Sequence, residues 1–495
     1  MPPPLPDAAP PPPPNTPRLT AEAIGTFLVP GQVLQPIDLA SALRLGGARD
    51  LDIAIARQRI CQAVADLQQA RALWLPTLFL GPTWYRLDGK VQQIDGKVLT
   101  ADRSALFIGG LAASPNSYPA APPGSGYPPL TGLSAVLRIS DAIYEPMAAR
   151  RTVAASQATL QATINDALLS IAEAYFDLQL ASGQLAIARE AAHNAQLLSD
   201  ITGTYARSGA GLEADHRRVL TELNHQRKLI ETAVGQLKVT SANLIRLLVL
   251  NPQLVVAPVE PAEAIIHLVP DDAPLDDLIV QGLRRRPELA AAQELVQATL
   301  LRLKQARLRP LIPSLAFSYA GGGFGGGRNA FFGDFGTRGD ATASLFWELQ
   351  NLGFTDRAIA HRSAAQHQTA VLQLIQVENR VAAEVVAAFE SRTAASRQIA
   401  VAGRTLTEAI QSLELNLANI RRGAGLPGAT RPIEVLQPIQ ALTQARADYL
   451  DAVLAYNRAQ FRLYRALGQP PLLATPSVPS PPAAGAILPV APNGR

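Results

Sequence analysis

Two stretches, residues 146–207 and 355–421, each read as a single helix of about sixty residues or more, and few folds can house helices that long. Along the first, Leu160, Ile164, Leu168, Ile171, Tyr175, Leu178 and Leu185 recur at intervals of three, four and seven, the spacing of a coiled-coil seam. Alanine fills many flanking sites, so neighbours can approach on more than one side. At 1.5 Å per residue such helices span roughly 90–100 Å, a length that is out of place in an ordinary globular domain and suits a tube. Shorter helices read over 48–74 and 212–250 in the first half, and over 286–309 and 432–467 in the second. The first pair together matches the long helix in length. Stacked end to end, its two members run antiparallel beside it.

The chain also repeats itself once. SALRLGGARDLDIAIARQRI, ending in ALWLPTLFL, resembles QGLRRRPELAAAQELVQATL, ending in RLRPLIPSLAF, which pairs Pro76 with Pro313 at an offset of 237. TYARSGAGL then matches NIRRGAGL and pairs Gly209 with Gly423 at an offset of 214, so the first half holds about 23 extra residues between these marks, mostly in one loop. Residues 19–250 form the first repeat and 286–469 the second, joined by a linker over 251–285. The Pro-rich segments 1–18 and 470–495 read as extended tails.

Each half reads helix, strand, loop, strand, long helix, tight break, helix. In the strands, Ser314, Ala316 and Ser318 alternate with Leu315, Phe317 and Tyr319, and Thr342 and Ser344 with Ala343, Leu345 and Trp347. Leu133, Leu137 and Ile139 alternate less cleanly with Ser134, Arg138 and Ser140. One face is apolar and the other small or polar, as in a barrel wall between lipid and water, or in a half-buried sheet of a soluble domain. Trp84, Tyr85, Tyr319 and Trp347 are candidate membrane-interface anchors. The connecting segments 93–130 and 322–338 are rich in glycine and proline, which argues against a regular element inside them and fits outer-face loops. Four strands cannot close a barrel, and lipid tolerates no open sheet edge. If these strands span a membrane, several copies must pool them, and three copies would pool twelve.

Other functions find little support. No run of 18 apolar residues exists, so no transmembrane helix is expected. The first 30 residues lack the apolar core of a signal peptide, so the chain as written is expected to carry no export address. A net charge of +4 without a basic run points to no nucleic-acid partner. GGGFGGG lacks the Gly-Lys-Ser/Thr ending of a phosphate loop, and His361 and His367 are not spaced as i, i+4 metal ligands. Cys61, the only cysteine, reads as a packing residue. No cofactor and no catalytic residue are expected.

The Pro-terminated helices at Pro76 and Pro313, the junction LFWELQNLGFTDRAIAHRSAAQ, and a break ending in glycine before each returning helix together resemble the TolC-like family of outer-membrane efflux proteins, over roughly residues 36–468. The resemblance implies a mainly α fold with a small membrane β-barrel. Each protomer would supply long antiparallel coiled-coil helices to a periplasmic tunnel and four transmembrane strands to a trimeric, twelve-stranded barrel. It places 251–285 near an equatorial region and implies a homotrimer in outer-membrane lipid, served by a periplasmic membrane-fusion adaptor and an inner-membrane pump of RND, ABC or MFS type. The tunnel would close at its helical tips. There Asp215 occupies the family's first-half aspartate position, Arg431 matches an arginine, Glu434 the first acidic residue that follows, and Gln437 the second. Gln437 is a departure, an amide where a gate carboxylate is usual. AGLPGA also lengthens the second tip by about five residues relative to the family pattern.

Physically, Gly209 and Gly211, with Gly423 and Gly425, permit the backbone reversal between antiparallel helices. With Ala210, Leu212, Ala424 and Leu426 they form the small tips an adaptor hairpin would meet. Three Asp215 and three Glu434 would ring the axis with negative charge, and Arg207, Arg421, Arg422 and Arg431 could pair with it across protomers. These groups also read simply as solvated charges at helix ends. A soluble coiled-coil scaffold or adaptor is the competing interpretation, and the duplicated strand pairs argue against it.

Overall fold

The computed structural model describes residues 25, 27–75, 81–92, 95–110, 133–209, 211–325, 336–422 and 432–469. In chain order the elements are β1 (Val33–Ile37), α1 (Leu39–Arg49), α2 (Leu51–Ala72), β2 (Gly81–Gln92), β3 (Val98–Gly110), β4 (Leu133–Arg138), α3 (Ile139–Arg207) and α4 (Glu213–Leu248). They continue with β5 (Leu254–Pro258), α5 (Leu275–Arg285), α6 (Pro287–Leu308), β6 (Ser314–Gly325), β7 (Gly336–Phe346), α7 (Phe354–Arg422) and α8 (Leu436–Ala466). The lengths recur: α1 and α5 have 11 residues each, α2 and α6 22 each, α3 and α7 69 each.

Helix ends explain small differences from the sequence reading. The helix expected over 48–74 is broken at Asp50, whose carboxylate accepts the N–H groups of Asp52 (2.8 Å) and Ile53 (3.1 Å) and so caps α2. The equivalent break before α6 uses a proline at the first helical position instead. Helix α3 begins at Ile139 rather than at Pro146, one turn and more upstream; Pro146 removes a single hydrogen bond there and the helix runs through it.

The chain divides into two units. The first comprises Met1–Ile55, Leu160–Pro287 and Glu378–Arg495. Its main core gathers Leu168, Ile171, Tyr175, Phe176, Leu178 and Leu185 of α3 with Leu450, Leu454 and Phe461 of α8 and with residues of α1, α4 and β5. Phe176 and Phe461 meet edge to face at 5.3 Å. Strands β1 and β5, which the sequence did not signal, pair in parallel from Val33↔Leu254 to Ile37↔Pro258. Linker 251–285 therefore holds a strand and a helix.

The second unit, Ala56–Thr159 and Glu288–Val377, contains the antiparallel sheet. Its helices are tied by Arg151–Glu294 at 3.1 Å, and by Gln305 donating to Asp141 (3.0 Å) and Glu145 (3.1 Å). Five strands appear where four were expected, and the extra one, β3, lies inside the segment expected to be the irregular loop 93–130. The reason is turn chemistry. DGKV occurs twice, and the second copy is a hairpin turn: Gly96 takes φ 86°, and Asp95 Oδ1 accepts the Lys97 N–H at 3.2 Å. The first copy stays in β2, where Gly89 pairs with Ala101. Likewise β6 and β7 extend into the expected loop 322–338, pairing as far as Phe324↔Gly336.

Strands β3 and β4 lie along the same edge of β6, both antiparallel to it. β3 pairs Ser104↔Gly325 through Phe107↔Gly322, and this register carried on to its last residue, Gly110, reaches Tyr319. Tyr319 is also the residue that faces Leu133, the first of β4. β3 and β4 are thus consecutive pieces of one strand position, displaced in sequence by 23 residues, the surplus found between the two halves.

At the helix-proximal ends of β6 and β7 the apolar and small side chains are placed the reverse of a water-soluble domain. Leu315 (42% exposed), Phe317 (45%) and Leu345 (54%) face outward, whereas Ser314 and Ala316 are buried. Leu315 stands opposite Leu345 and Phe317 opposite Ala343, so the exposed apolar groups share one face.

Candidate functional site

The first helical turn is built from the spent carbonyls of α3. Ser208 N–H donates to Thr204 O (3.1 Å), Gly209 N–H to Ala206 O (3.2 Å) and Gly211 N–H to Tyr205 O (3.0 Å). Gly209 closes the helix at φ 76°, a left-handed conformation a side chain would oppose. A Cβ on Gly211 would lie 3.0 Å from that of Tyr205, so the tyrosine packs directly beneath the turn. Leu212 is 60% exposed and Ala210 lies outside the described residues. Glu213 and Asp215 occupy the first turn of α4, where carboxylates favour the helix dipole. Asp215 is half-buried, and Glu213 pairs with Arg217 at 2.8 Å. Arg207 donates to Thr204 Oγ1 at 3.3 Å. A contact the sequence did not signal, His216 Nδ1 with Thr202 Oγ1 at 3.2 Å, ties the two helices just inside the turn.

At the second turn Arg421 and Arg422 are the last residues of α7, and Gly423, Ala424, Gly425, Leu426 and Arg431 lie outside the described residues. The chain re-enters through a 3-10 turn, Pro432–Val435. Val435 is fully buried in it with Ile420 and Ile439 as neighbours in the cluster, so Ile420 serves in packing. Glu434 and Gln437 are both exposed. The two turns belong together: Leu198 of α3 and Val219 of α4 share the same apolar cluster, and Gln440 donates to Glu222 Oε2 at 3.1 Å.

Away from the turns, α8 is locked onto α3 by four arginines. Arg446 pairs with Glu190 (2.7 Å), Arg458 with Asp177 (2.6 Å), Arg462 with Glu173 (2.6 Å) and Arg465 with Asp166 (2.7 Å). The partner numbers fall as the arginine numbers rise, so the rungs fix one antiparallel register. Gly183 permits close approach here, since a Cβ would lie 2.5 Å from Leu450 Cδ2. Glu260 of the linker accepts hydrogen bonds from the Tyr175 hydroxyl and from Leu39 N–H (2.9 Å), joining α3, the start of α1 and the β5 end. Burial foremost, and then the Glu260 carboxylate, push the Tyr175 hydroxyl far above its usual range, so it acts as a fixed donor.

Of the four aromatic residues expected at a membrane interface, Trp347 is 57% exposed and donates to Leu311 O at 3.3 Å. Trp84 and Tyr85 lie on β2 and Tyr319 on β6. Among the described residues no helix is long and apolar enough to cross a membrane, and no group of three potential metal ligands forms.

Residues 278–469 match the family described as outer membrane efflux protein. No curated protein matches the sequence. Among solved structures, CusC, a protein described as undergoing transmembrane channel formation, aligns at 19% identity with a TM-score of 0.69, covering 88% of this chain and 93% of its own. The outer-membrane channel OprN aligns at 17% identity and TM-score 0.69, covering 94% and 98%. A membrane protein from Pseudomonas aeruginosa gives 17% and 0.69, covering 87% and 92%. At these identities the structural likeness establishes the fold. The resemblance to TolC-like efflux proteins holds: the second half carries the family match, and nearly the whole chain carries the fold. The family is described by efflux, and CusC and OprN by the channels they form.

Proposed function

We propose that this chain, an outer membrane efflux protein by the match of its second half, is one of three protomers of a passive export conduit in a bacterial outer membrane. The observation that carries this is the face of β6 and β7, with Leu315, Phe317 and Leu345 outward and Ser314 and Ala316 buried, together with the outer sides of β2, β4 and β7 left unpaired among the described residues. Such a face is favourable against lipid, and such edges are tolerable in lipid only when paired with further copies. With β3 and β4 sharing one strand position, each copy offers four positions, and three copies give a closed twelve-stranded barrel. The matching lengths of α1/α5, α2/α6 and α3/α7 support a two-fold internal repeat whose long helices build the tunnel. A soluble coiled-coil scaffold would bury Leu315, Phe317 and Leu345.

In this assembly the helical turns lie at the periplasmic end. Asp215 and Glu434, repeated three times, form the constriction. Gln437 leaves it with fewer carboxylates, and Arg207, Arg421, Arg422 and Arg431 counter them. The turns at 209–212 and 423–426 are where a periplasmic adaptor docks, and an inner-membrane pump of the RND, ABC or MFS type supplies cargo and energy. The test is expression behind a working signal peptide in a Gram-negative host, followed by planar-bilayer conductance of the outer-membrane fraction. Cation-selective channels whose selectivity falls in Asp215→Asn/Glu434→Gln are expected. Protein that stays water-soluble and gives no conductance would overturn the proposal.

A further inference from the structure

Seven residues separate β7 from α7, whereas β4 passes into α3 with none between. The extra segment holds three successive left-handed residues, Asn351 (φ 47°), Leu352 (φ 56°) and Gly353 (φ 86°). A branched, non-glycine residue in this region is sterically disfavoured. The structure nonetheless holds the turn firmly. Gln350 N–H donates to the buried Asp356 carboxylate at 2.9 Å, and Asn351 Nδ2 donates to Thr355 Oγ1 at 2.7 Å. The result of this strain is an apolar projection: Leu352 is 90% exposed, with Phe354 (73%) and Leu349 (63%) beside it in sequence. In water, both the backbone conformation and the exposure are unfavourable, and strain that persists by over-determination points to use.

Two features identify what covers it. The projection follows the exposed apolar side of β7 in sequence: Ala343 and Leu345 in the strand, then Trp347 and Leu349 beyond its end, are exposed at alternate positions. Immediately beyond it the first six turns of α7 hold Arg357, His361 and Arg362, all exposed, and no acidic residue between Asp356 and Glu378. Along the chain, exposed apolar side chains give way to exposed guanidinium groups, an order that matches acyl chains followed by lipid phosphates.

The geometry points to the Leu349–Phe354 turn as a lipid-immersed foot: Leu352 and Phe354 enter the acyl region of the periplasmic leaflet, and Arg357 and Arg362 engage its phosphates. This rests on the membrane reading of the sheet. It assigns the turn a role in setting the depth at which the barrel sits, beyond simply joining a strand to a helix.

The test places an environment-sensitive NBD label at Leu352→Cys or at Leu345→Cys, in a Cys61→Ala background, with the assembled protein in phosphatidylethanolamine/phosphatidylglycerol vesicles. Quenching by nitroxide-bearing lipid is compared with quenching by aqueous iodide. The foot requires both labels to be quenched by lipid and protected from iodide. Lipid quenching at 345 with iodide quenching at 352 would overturn the foot and leave the membrane barrel standing. Iodide quenching at both would overturn the barrel reading and the foot with it. Phe354→Cys, on regular helical backbone, carries the same comparison if Leu352→Cys fails to assemble.

Discussion

The rung between Arg446 and Glu190 offers the sharpest test of how α8 is held to α3. The guanidinium is 7% exposed and the carboxylate 25%, at 2.7 Å. Arg446→Met keeps the side chain's packing volume but removes the charge. Breaking a fully buried pair costs about 3–5 kcal/mol, and with a quarter of Glu190 in water about 2–3 kcal/mol is expected at pH 8. The pH dependence follows from Glu190 itself. Burial, the largest influence, raises its pKa above the usual carboxylate range, against the opposing pull of Arg446 and His193. For a raised pKa, the folded state holds the proton more tightly than the unfolded state. The stability contribution is therefore complete below the unfolded pKa and lost as pH rises through the folded one. Removing Arg446 raises the folded pKa further, so the deficit of the variant should be largest at pH 8 and shrink towards pH 5, by up to about 1.4 kcal/mol per pH unit where only the folded state is protonated. Guanidinium unfolding followed by circular dichroism at both pH values measures this. Glu190→Gln/Arg446→Met, which leaves no unpaired charge, should lie near the wild type at both. A double variant as unstable as Arg446→Met at pH 8 would refute the reasoning, because the loss would then come from packing.

Three further outcomes are expected. Deleting residues 110–132, which joins Gly109 to Leu133 in continuous register on β6, should leave an assembly of unchanged subunit number by native mass spectrometry; dissociated or aggregated protein would show that β3 and β4 do not share a strand position. Gly209→Val places a β-branched residue at φ 76°, costing about 1–2 kcal/mol, and should speed amide exchange across residues 205–213 roughly tenfold while leaving the α3–α8 core protected. Phe461→Ala removes a fully buried ring that meets Phe176 edge to face and should cost about 3–5 kcal/mol in the same denaturant assay.

The helices were legible because their packing is one-dimensional. The seam read through Leu168, Ile171, Tyr175, Leu178 and Leu185 is buried as a line along α3, and the ends of α2, α4, α6, α7 and α8 fall within a few residues of the signals for them, whereas α3 starts upstream and α1 and α5 lie outside the expected helices. Strand β1 was not legible: VLQPI is short and broken by proline, and its partner lies more than two hundred residues away, so nothing local marks it. Strand β3 was missed for a different reason. The glycine and proline content of 93–130 reads as loop composition, whereas Asp95–Gly96 between alternating residues is hairpin chemistry. The surplus between the halves was legible as an insertion lying mostly in one loop, and the register along β6 narrows it to the residues between β3 and β4. At the tips, Gly209 and Gly211 were legible as turn residues. The His216–Thr202 contact was not, because it depends on the rotational setting of two helices that sequence spacing does not specify.

The central claim is that the strands are pooled among three copies in a membrane. Native mass spectrometry of protein extracted by detergent from the outer-membrane fraction tests it most directly. The account predicts a species of three 52.5 kDa chains. A monomer or dimer recovered from the soluble fraction, stable without detergent, would contradict it.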